Sequence, residues 1–299
     1  MNSGTKCGFV TLLGAPNAGK STLVNRMVGA KVSIVSPKVQ TTRSRVRGIM
    51  VKDGCEIVLV DTPGIFKPKR RLDRAMVAAA WNEAEYTDVR LLLVDARRGL
   101  DDDTRSIVRM LERNRQKAVL VLNKIDLIKP EKLIALSAEL NGLLSFDETF
   151  MVSAVTGAGL DDLEKYLISR MPEGPFMFPE DQVSDLPNRL LAAEITREKL
   201  YLNLREELPY ALTVETEMWK ENPDGSVRLD QTIYVERDNQ RQIILGHKGA
   251  MIRKIGTQSR LELEELLECR VHLFLFVKVR EKWGDDPARY RDWGLDFNA

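Results

Sequence analysis

Residues 8–24 constrain this chain more than any other stretch. A short apolar run, Phe9-Val10-Thr11-Leu12-Leu13, enters Gly14-Ala15-Pro16-Asn17-Ala18-Gly19-Lys20-Ser21, and a helical pattern follows over residues 21–28. A Gly, four residues, then Gly-Lys-Ser, set between a buried strand and a helix, is the pattern of a loop that wraps phosphates. Such a loop turns backbone N–H groups and the positive end of a helix dipole toward a polyphosphate. Gly14 and Gly19 keep that approach free of side chains. Lys20 is then placed to reach the β- and γ-phosphates, and Ser21 to offer its hydroxyl to Mg²⁺. Asn17, Ala18 and Thr22 complete the nucleotide-binding candidates of the loop.

With 299 residues the chain has room for about two domains. A hydrophobic content of 43% and a charged content of 30% belong to ordinary globular proteins. No apolar run approaches the roughly 18 residues of a membrane span. Formal net charge is +1, so a polyanion would have to be met by a local patch. Cys7, Cys55 and Cys269 are far apart, odd in number and without metal spacing. They read as small apolar residues in a reducing cytoplasm. The first strand begins too early to leave room for a signal peptide.

Residues 31–47 are polar and irregular, contain Val39-Gln40-Thr41-Thr42-Arg43, and read as a mobile loop. Residues 46–51 and 56–60 alternate about Asp53-Gly54, which predicts a hairpin. The second strand ends in Asp61-Thr62-Pro63-Gly64. A carboxylate at the end of a strand that follows a phosphate loop is placed to serve magnesium, with the Gly64 N–H near the γ-phosphate. Standing alone, Thr-Pro-Gly would signify only a turn. A strand over residues 90–94 closes in Asp95-Ala96, and residues 101–115 form an amphipathic helix on Ile107, Val108 and Leu111. The apolar strand over residues 118–122 runs into Asn123-Lys124-Ile125-Asp126. A carboxylate accepting from N1 and the 2-amino group of guanine finds neither donor on adenine, so this signature points to guanine. A helix over 130–144, a strand over 150–153 and a helix over 160–169 complete this half. Ser153-Ala154 lies where backbone N–H groups could meet the guanine carbonyl. Strands alternating with helices predict an α/β fold, a mostly parallel sheet with helices on both faces. Its ligand sits at the carboxyl ends of the strands.

Proline and glycine among acidic residues mark 171–187 as an extended linker. The expected organisation is a nucleotide domain over 1–172, a linker over 173–187 and a second domain over 188–299. That second domain opens with a helix over 188–207 and a hairpin of residues 211–219 and 227–235 about Asn222-Pro223-Asp224-Gly225. Gly246-His247-Lys248-Gly249 follows between two helical segments, and a strong strand occupies 271–279. Between Arg237 and Arg260 six cations face one carboxylate, a basic character confined to this region. The order helix, strand, strand, helix, Gly-x-x-Gly, helix, strand resembles the α+β type II KH domain, whose loop clamps the backbone of about four nucleotides of single-stranded nucleic acid. On that resemblance Gly246, His247, Lys248, Gly249, Arg253 and Lys254 are the RNA-binding candidates. His272 is the only other histidine, so His247 reads as a loop donor and not as a metal ligand.

The nucleotide motifs, in their order and spacing, resemble the translation-factor-like GTPases. Joined to a KH domain in this length they resemble the Era family of bacterial GTPases over essentially the whole chain. The resemblance implies hydrolysis of GTP to GDP and phosphate with Mg²⁺. Lys20, Thr42 and Gly64 would serve catalysis, and Ser21, Thr42 and Asp61 the metal. It further implies binding near the single-stranded 3′ end of small-subunit ribosomal RNA and a role in maturing that subunit. Residence would be cytoplasmic, with loose association at the inner face of the membrane, and nothing suggests an obligate dimer over a monomer. By the same resemblance Thr42 is the switch-loop residue that meets Mg²⁺, with the adjacent Thr41 leaving the register open by one position. Ile65 stands where many GTPases carry a Gln that orients the attacking water, which implies slow intrinsic hydrolysis. Asn17 matches an Asn that, in relatives with a hydrophobic residue at that place, holds a K⁺ ion. Two other readings stay open: a module using guanine nucleotide only as a structural ligand, and a GTPase whose second domain grips a protein or membrane surface.

Overall fold

A computed structural model describes residues 4–299 as two compact units. The first holds, in chain order, β1 (Lys6–Gly14), α1 (Lys20–Val28), β2 (Val46–Lys52), β3 (Cys55–Asp61), α2 (Arg71–Glu85), β4 (Val89–Asp95), α3 (Asp102–Arg113), β5 (Val119–Asn123), α4 (Pro130–Leu143), β6 (Thr149–Val152) and α5 (Leu160–Arg170). The strand order is β2-β3-β1-β4-β5-β6, and only β2 runs antiparallel to its neighbour. Alternation along β1 sends Val10 and Leu12 into one core and Leu13 into the other. The first core is closed by Leu23, Val24 and Met27 of α1 and Leu160, Leu163 and Leu167 of α5. On the opposite face lie Ala80 and Ala84 of α2, Ile107, Val108 and Leu111 of α3, and Leu133, Leu136 and Leu140 of α4. Strands buried on both faces read as continuous apolar runs, as β3, β4 and β5 do. At the β2–β3 turn both Asp53 (φ 51°) and Gly54 (φ 72°) take the positive φ that a two-residue hairpin of matching twist demands.

Helix α2 has no counterpart among the elements expected from the sequence. Its inward stripe is Leu72, Ala75, Met76, Ala80 and Ala84, and the three alanines among the five give a weak periodic signal. The capping residue is Arg70, and Asp73 within the helix accepts from the N–H groups of Lys69 and Arg70 (3.0 Å each).

The stretch read as a linker is extended but pinned to the first unit. The Cys7 N–H donates to Pro172 O, the Gly174 N–H to Thr5 O, and the Ile49 N–H to Val183 O. Buried Glu56 accepts from the N–H groups of Met177 (2.9 Å) and Phe178 (3.1 Å) and from the Cys7 thiol (3.0 Å). Burial first, and then the Glu56 carboxylate, push that thiol up to about 12.

The second unit contains α6 (Asn188–Asn203), β7 (Leu212–Glu221), β8 (Val227–Val235), α7 (Asp238–Leu245), α8 (Ala250–Leu267) and β9 (Val271–Val279). β7 pairs antiparallel and β9 parallel with the central β8. The parallel pair needs a crossover, which α7, the glycine loop and α8 supply. Leu200, Ile233, Ile244 and Ile255 share one core, and Leu191, Ile195, Leu229 and Leu263 another. α6 stops at Asn203, short of the expected 207: Leu204 is already extended, and Pro209 lies in the turn that follows. A final short helix, α9 (Pro287–Asp292), leads to the C-terminus.

The main division between the units falls between Asp185 and Leu186. Ile34–Thr41 belongs to the second unit, and Ala288–Ala299 to the first. In that tail Phe297 stacks edge-on against buried Tyr290 (5.0 Å between centroids) and lies beneath the Arg71 guanidinium (4.3 Å).

Candidate nucleotide site and glycine loop

The residues between β1 and α1 form a tight loop whose backbone leaves little choice of side chain. Gly14 (φ 154°) sits so near β4 that an added Cβ would stand 2.4 Å from Leu93 O. Gly19 (φ 99°) caps α1 without a side-chain acceptor, and a Cβ there would meet Asn123 Nδ2 at 2.2 Å. Across the loop, Gly64 packs on Pro16, where a Cβ would lie 2.9 Å from Cα. Lys20 folds back over the loop, its ammonium donating to Gly14 O (3.0 Å) and Ala15 O (3.2 Å). Burial lowers its pKa to about 8, against the opposing pull of Asp61.

Asp61, at the end of β3, is fully buried. One carboxylate oxygen, Oδ2, accepts from Ser21 Oγ (2.6 Å), Ser33 Oγ (2.7 Å) and Thr42 Oγ1 (3.1 Å), and Ser21 and Thr42 lie 3.0 Å apart. The other oxygen, Oδ1, is buried with no partner among the described residues. Burial holds this carboxyl above the usual range, partly countered by the hydroxyls and Lys20. A carboxylate with an unsatisfied oxygen beside two hydroxyls is a set of hard oxygen donors of the kind Mg²⁺ takes, so the residues present fit that ion. Of the two adjacent threonines, Thr42 is the one turned to Asp61; the Thr41 hydroxyl bonds Ser36 and Lys38 O. Ser33 escapes a sequence reading because a lone Ser in a polar loop carries no signal. Asn25 of α1 sets it in place, its carboxamide accepting from the N–H groups of Val32 (3.0 Å) and Ser33 (2.9 Å).

At the ends of β5 and β6, Asn123 ties three loops together. Its amide donates to Ala18 O (2.9 Å) and accepts from the N–H groups of Lys124 (2.8 Å) and Ala154 (3.0 Å). Lys124, itself at positive φ, reaches Asn17 O and Asp95 Oδ2, both at 2.6 Å. Asp95 is thus a site residue that the sequence shows only as the last residue of a strand. Asp126 is exposed on the turn after β5, open to a base. The backbone N–H groups of Ser153 and Ala154 are engaged within the first unit. Ser153 N–H is taken by Ala158 O (2.9 Å), and Ala154 N–H by Asn123. Thr22 occupies the first turn of α1. Ile65 is 5% exposed and packed in the core with Leu13 and Ala80, so its side chain has no access to a γ-phosphate water.

In the second unit, Gly246 (φ 69°) turns the chain out of α7, where an added Cβ would lie 2.7 Å from Met251 Cβ. Lys248 also takes positive φ (50°), and Gly249 (φ 76°) starts α8. His247, Lys248, Arg253 and Lys254 are all exposed, and no ion pair among the described residues holds these cations. The free N-terminus of α8 adds its own positive end.

Two family models cover these regions: "50S ribosome-binding GTPase" matches residues 9–124 and "KH domain" residues 207–284. A phosphate loop joined to a guanine-type signature and followed by a KH fold defines the class: a GTPase carrying a KH module. Whole-chain relatives narrow it. "GTPase Era" of Mesorhizobium japonicum is 63% identical over 293 residues, 98% of this chain and 94% of the relative; that of Brucella melitensis is 60% identical over the same shares. Among solved structures, a single-substitution variant of Aquifex aeolicus Era bound to GDP·AlF4⁻ aligns with a TM-score of 0.91 at 38% identity. An Era complex with MgGDPNP and nucleotides 1506–1542 of 16S ribosomal RNA aligns at 0.92 and 39%. Each alignment covers 97% of this chain and 99% of the other. The chain belongs to the Era family, and it is a GTP-hydrolysing enzyme.

Proposed function

We propose that this chain is a GTP-driven switch that binds the 3′ end region of small-subunit ribosomal RNA and acts in the assembly of that subunit and the maturation of its RNA. The observation that carries the RNA half is the Gly246–Gly249 loop, with its exposed cations on the outside of a KH fold. An Era of 39% identity bound to 16S nucleotides supports the choice of RNA. The three free thiols suit a reducing cytoplasm.

On the nucleotide side, the loop from Gly14 to Thr22 binds the phosphates, and Lys20 leaves Gly14 O and Ala15 O to pair with them. Ser21, Thr42 and Asp61 would hold Mg²⁺, which when bound neutralises charge between the β- and γ-phosphates. Gly64 offers its N–H to the γ-phosphate because its missing side chain lets the loop close on Pro16. Asn123 and Lys124 brace the loop, Asp126 reads guanine, and the backbone at Ser153 and Ala154 has to release an internal bond before meeting the base. With Ile65 in the core, no side chain at that position orients water, so hydrolysis is slow without help. Asn17 is the residue we assign to K⁺.

The test is binding of a short single-stranded RNA copied from that 3′ end, measured by fluorescence anisotropy with GTP analogue or GDP present. Lys248→Glu should weaken binding about tenfold or more, by losing one phosphate contact and adding a repulsion. An unchanged binding curve in a folded Lys248→Glu protein refutes the RNA reading and favours a protein or membrane partner.

A further inference from the structure

The amino ends of β4 and β5 carry a second polar cleft, of about 780 Å³, lined by residues of the first unit alone. Residues 88–90, leading into β4, and 115–119, leading into β5, meet there with Asp147 and with Tyr166 and Arg170 at the end of α5. β4 runs from Val89 in this cleft to Asp95 beside Lys124. At about 3.3 Å per residue, that strand sets the cleft roughly 20 Å from the nucleotide loops. Four cations line it: Arg90, Arg115, Lys117 and Arg170. Against them stand two carboxylates, Asp88 and Asp147, and Asp88 already accepts from the Phe9 N–H (2.8 Å). Among the described residues none of these six charges is in an ion pair. Arg90 is aimed by neutral groups, donating to the carbonyls of Ala84 and Glu85 at the end of α2. Burial lowers its pKa, with Glu85 opposing, and an anion beside it would offset that cost. Arg170 is held over the Tyr166 ring, 5.0 Å from its centroid. Gln116 lines the same cleft, and its Oε1 is buried with no donor among the described residues. A buried acceptor left unpaired is costly, and a ligand N–H or O–H would satisfy it.

We infer that this cleft is a second ligand site, for a small phosphate monoester whose organic part carries an N–H or O–H donor, a sugar phosphate or a nucleotide. The four cations meet the phosphate, the guanidinium fork being matched to its oxygens, and Gln116 accepts from the organic part. The volume falls within the roughly 300–1,000 Å³ of small-molecule sites, an enclosure that a flat cationic patch for a nucleic-acid backbone does not offer. Neither Asp88 nor Asp147 closes the cleft by pairing with its cations.

The test uses the full-length chain saturated with GDP and Mg²⁺, so that the phosphate loop is filled. AMP, ribose 5-phosphate, inorganic phosphate and adenosine are titrated in turn by calorimetry at low salt. At least one ester should bind saturably with Kd below about 1 mM, about fivefold or more tighter than inorganic phosphate, and adenosine should not bind. Binding of AMP alone assigns a nucleotide, and binding of both esters a sugar phosphate. Arg115→Gly removes one cation without disturbing the turn, because Arg115 holds a positive φ (52°) that glycine adopts freely. Arg115→Gly and Lys117→Glu should each weaken ester binding about tenfold, the scale of one charge-assisted hydrogen bond. Gln116→Met should weaken the ester and leave inorganic phosphate alone. GDP affinity and GTP turnover should stay parental in all three variants. No saturable binding of either ester, or binding unmoved in Arg115→Gly and Lys117→Glu, overturns the site. Esters that bind no tighter than inorganic phosphate, or that bind Gln116→Met as they bind the parent, overturn its assignment to an ester.

Discussion

Replacing Lys20 by Met should remove a pH-dependent term from the stability of the nucleotide-free protein while destroying its hold on GTP. Lys20 is 6% exposed, and burial brings its pKa from 10.5 to about 8. At roughly 1.36 kcal/mol per unit, keeping that ammonium charged in the fold costs about 3 kcal/mol. Below pH 8 folded and unfolded chains both carry the proton, so the whole cost is present. Between about 8 and 10.5 the folded chain releases its proton first, the unfolded state holds more protons, and stability rises with pH. Met removes the charge and forfeits the bonds to Gly14 O and Ala15 O, at about 1.5 kcal/mol or more each because the donor is charged. At pH 7 the two terms therefore roughly cancel, and by pH 10 the parent has recovered about 2–3 kcal/mol of the burial cost, or about 4–12 °C in midpoint for a domain of this size. Thermal unfolding of the nucleotide-free protein at pH 7 and pH 10 measures it, with fluorescent GTP binding alongside. Relative to Lys20→Met, the parent should gain that much between pH 7 and pH 10. A difference between the two proteins that does not move with pH refutes the reasoning.

Ile65→Gln should not restore a water-orienting group, because the side chain lies in the core. It should cost about 2–3 kcal/mol in urea denaturation through lost apolar burial and a buried amide, with no rise in kcat. Asp126→Asn should lose GTP affinity by about a hundredfold and gain affinity for xanthosine triphosphate, whose C2 carbonyl accepts where guanine donates; competition binding with the two nucleotides checks it. Hydrolysis in K⁺ should exceed that in Na⁺ at equal ionic strength through Asn17, and equal turnover would remove that ion from the account.

Much of the first unit is legible because its strands are buried on both faces and its loops carry chemistry that few residues can perform. Gly14, Gly19 and Lys20 stand out in sequence for the same reason they pack so closely in the fold: a Cβ at either glycine would collide with β4 or with Asn123. What stayed hidden depends on tertiary partners. Helix α2 buries alanines and starts from an Arg, so neither its stripe nor its cap is distinctive. Ser33 and Asp95 gain their roles only from Asp61 and Lys124, which lie far along the chain. The polar stretch 34–41 looks like a free loop in sequence because its partners are backbone carbonyls and buried charges of α6. The linker was recognisable as extended, but not as pinned by Glu56, a carboxylate inside an apolar strand. At Ser153 and Ala154 the strand end was located, yet its N–H groups proved to be engaged internally.

The most direct measurement is GTP turnover with and without a short single-stranded RNA copied from the 3′ end of small-subunit ribosomal RNA, repeated with Lys248→Glu. The account predicts stimulation by the RNA in the parent chain and its loss in Lys248→Glu, with turnover in the absence of RNA equal in the two proteins. RNA that binds tightly through the Gly246–Gly249 loop yet leaves turnover unchanged would contradict the claim that the two units work as one switch.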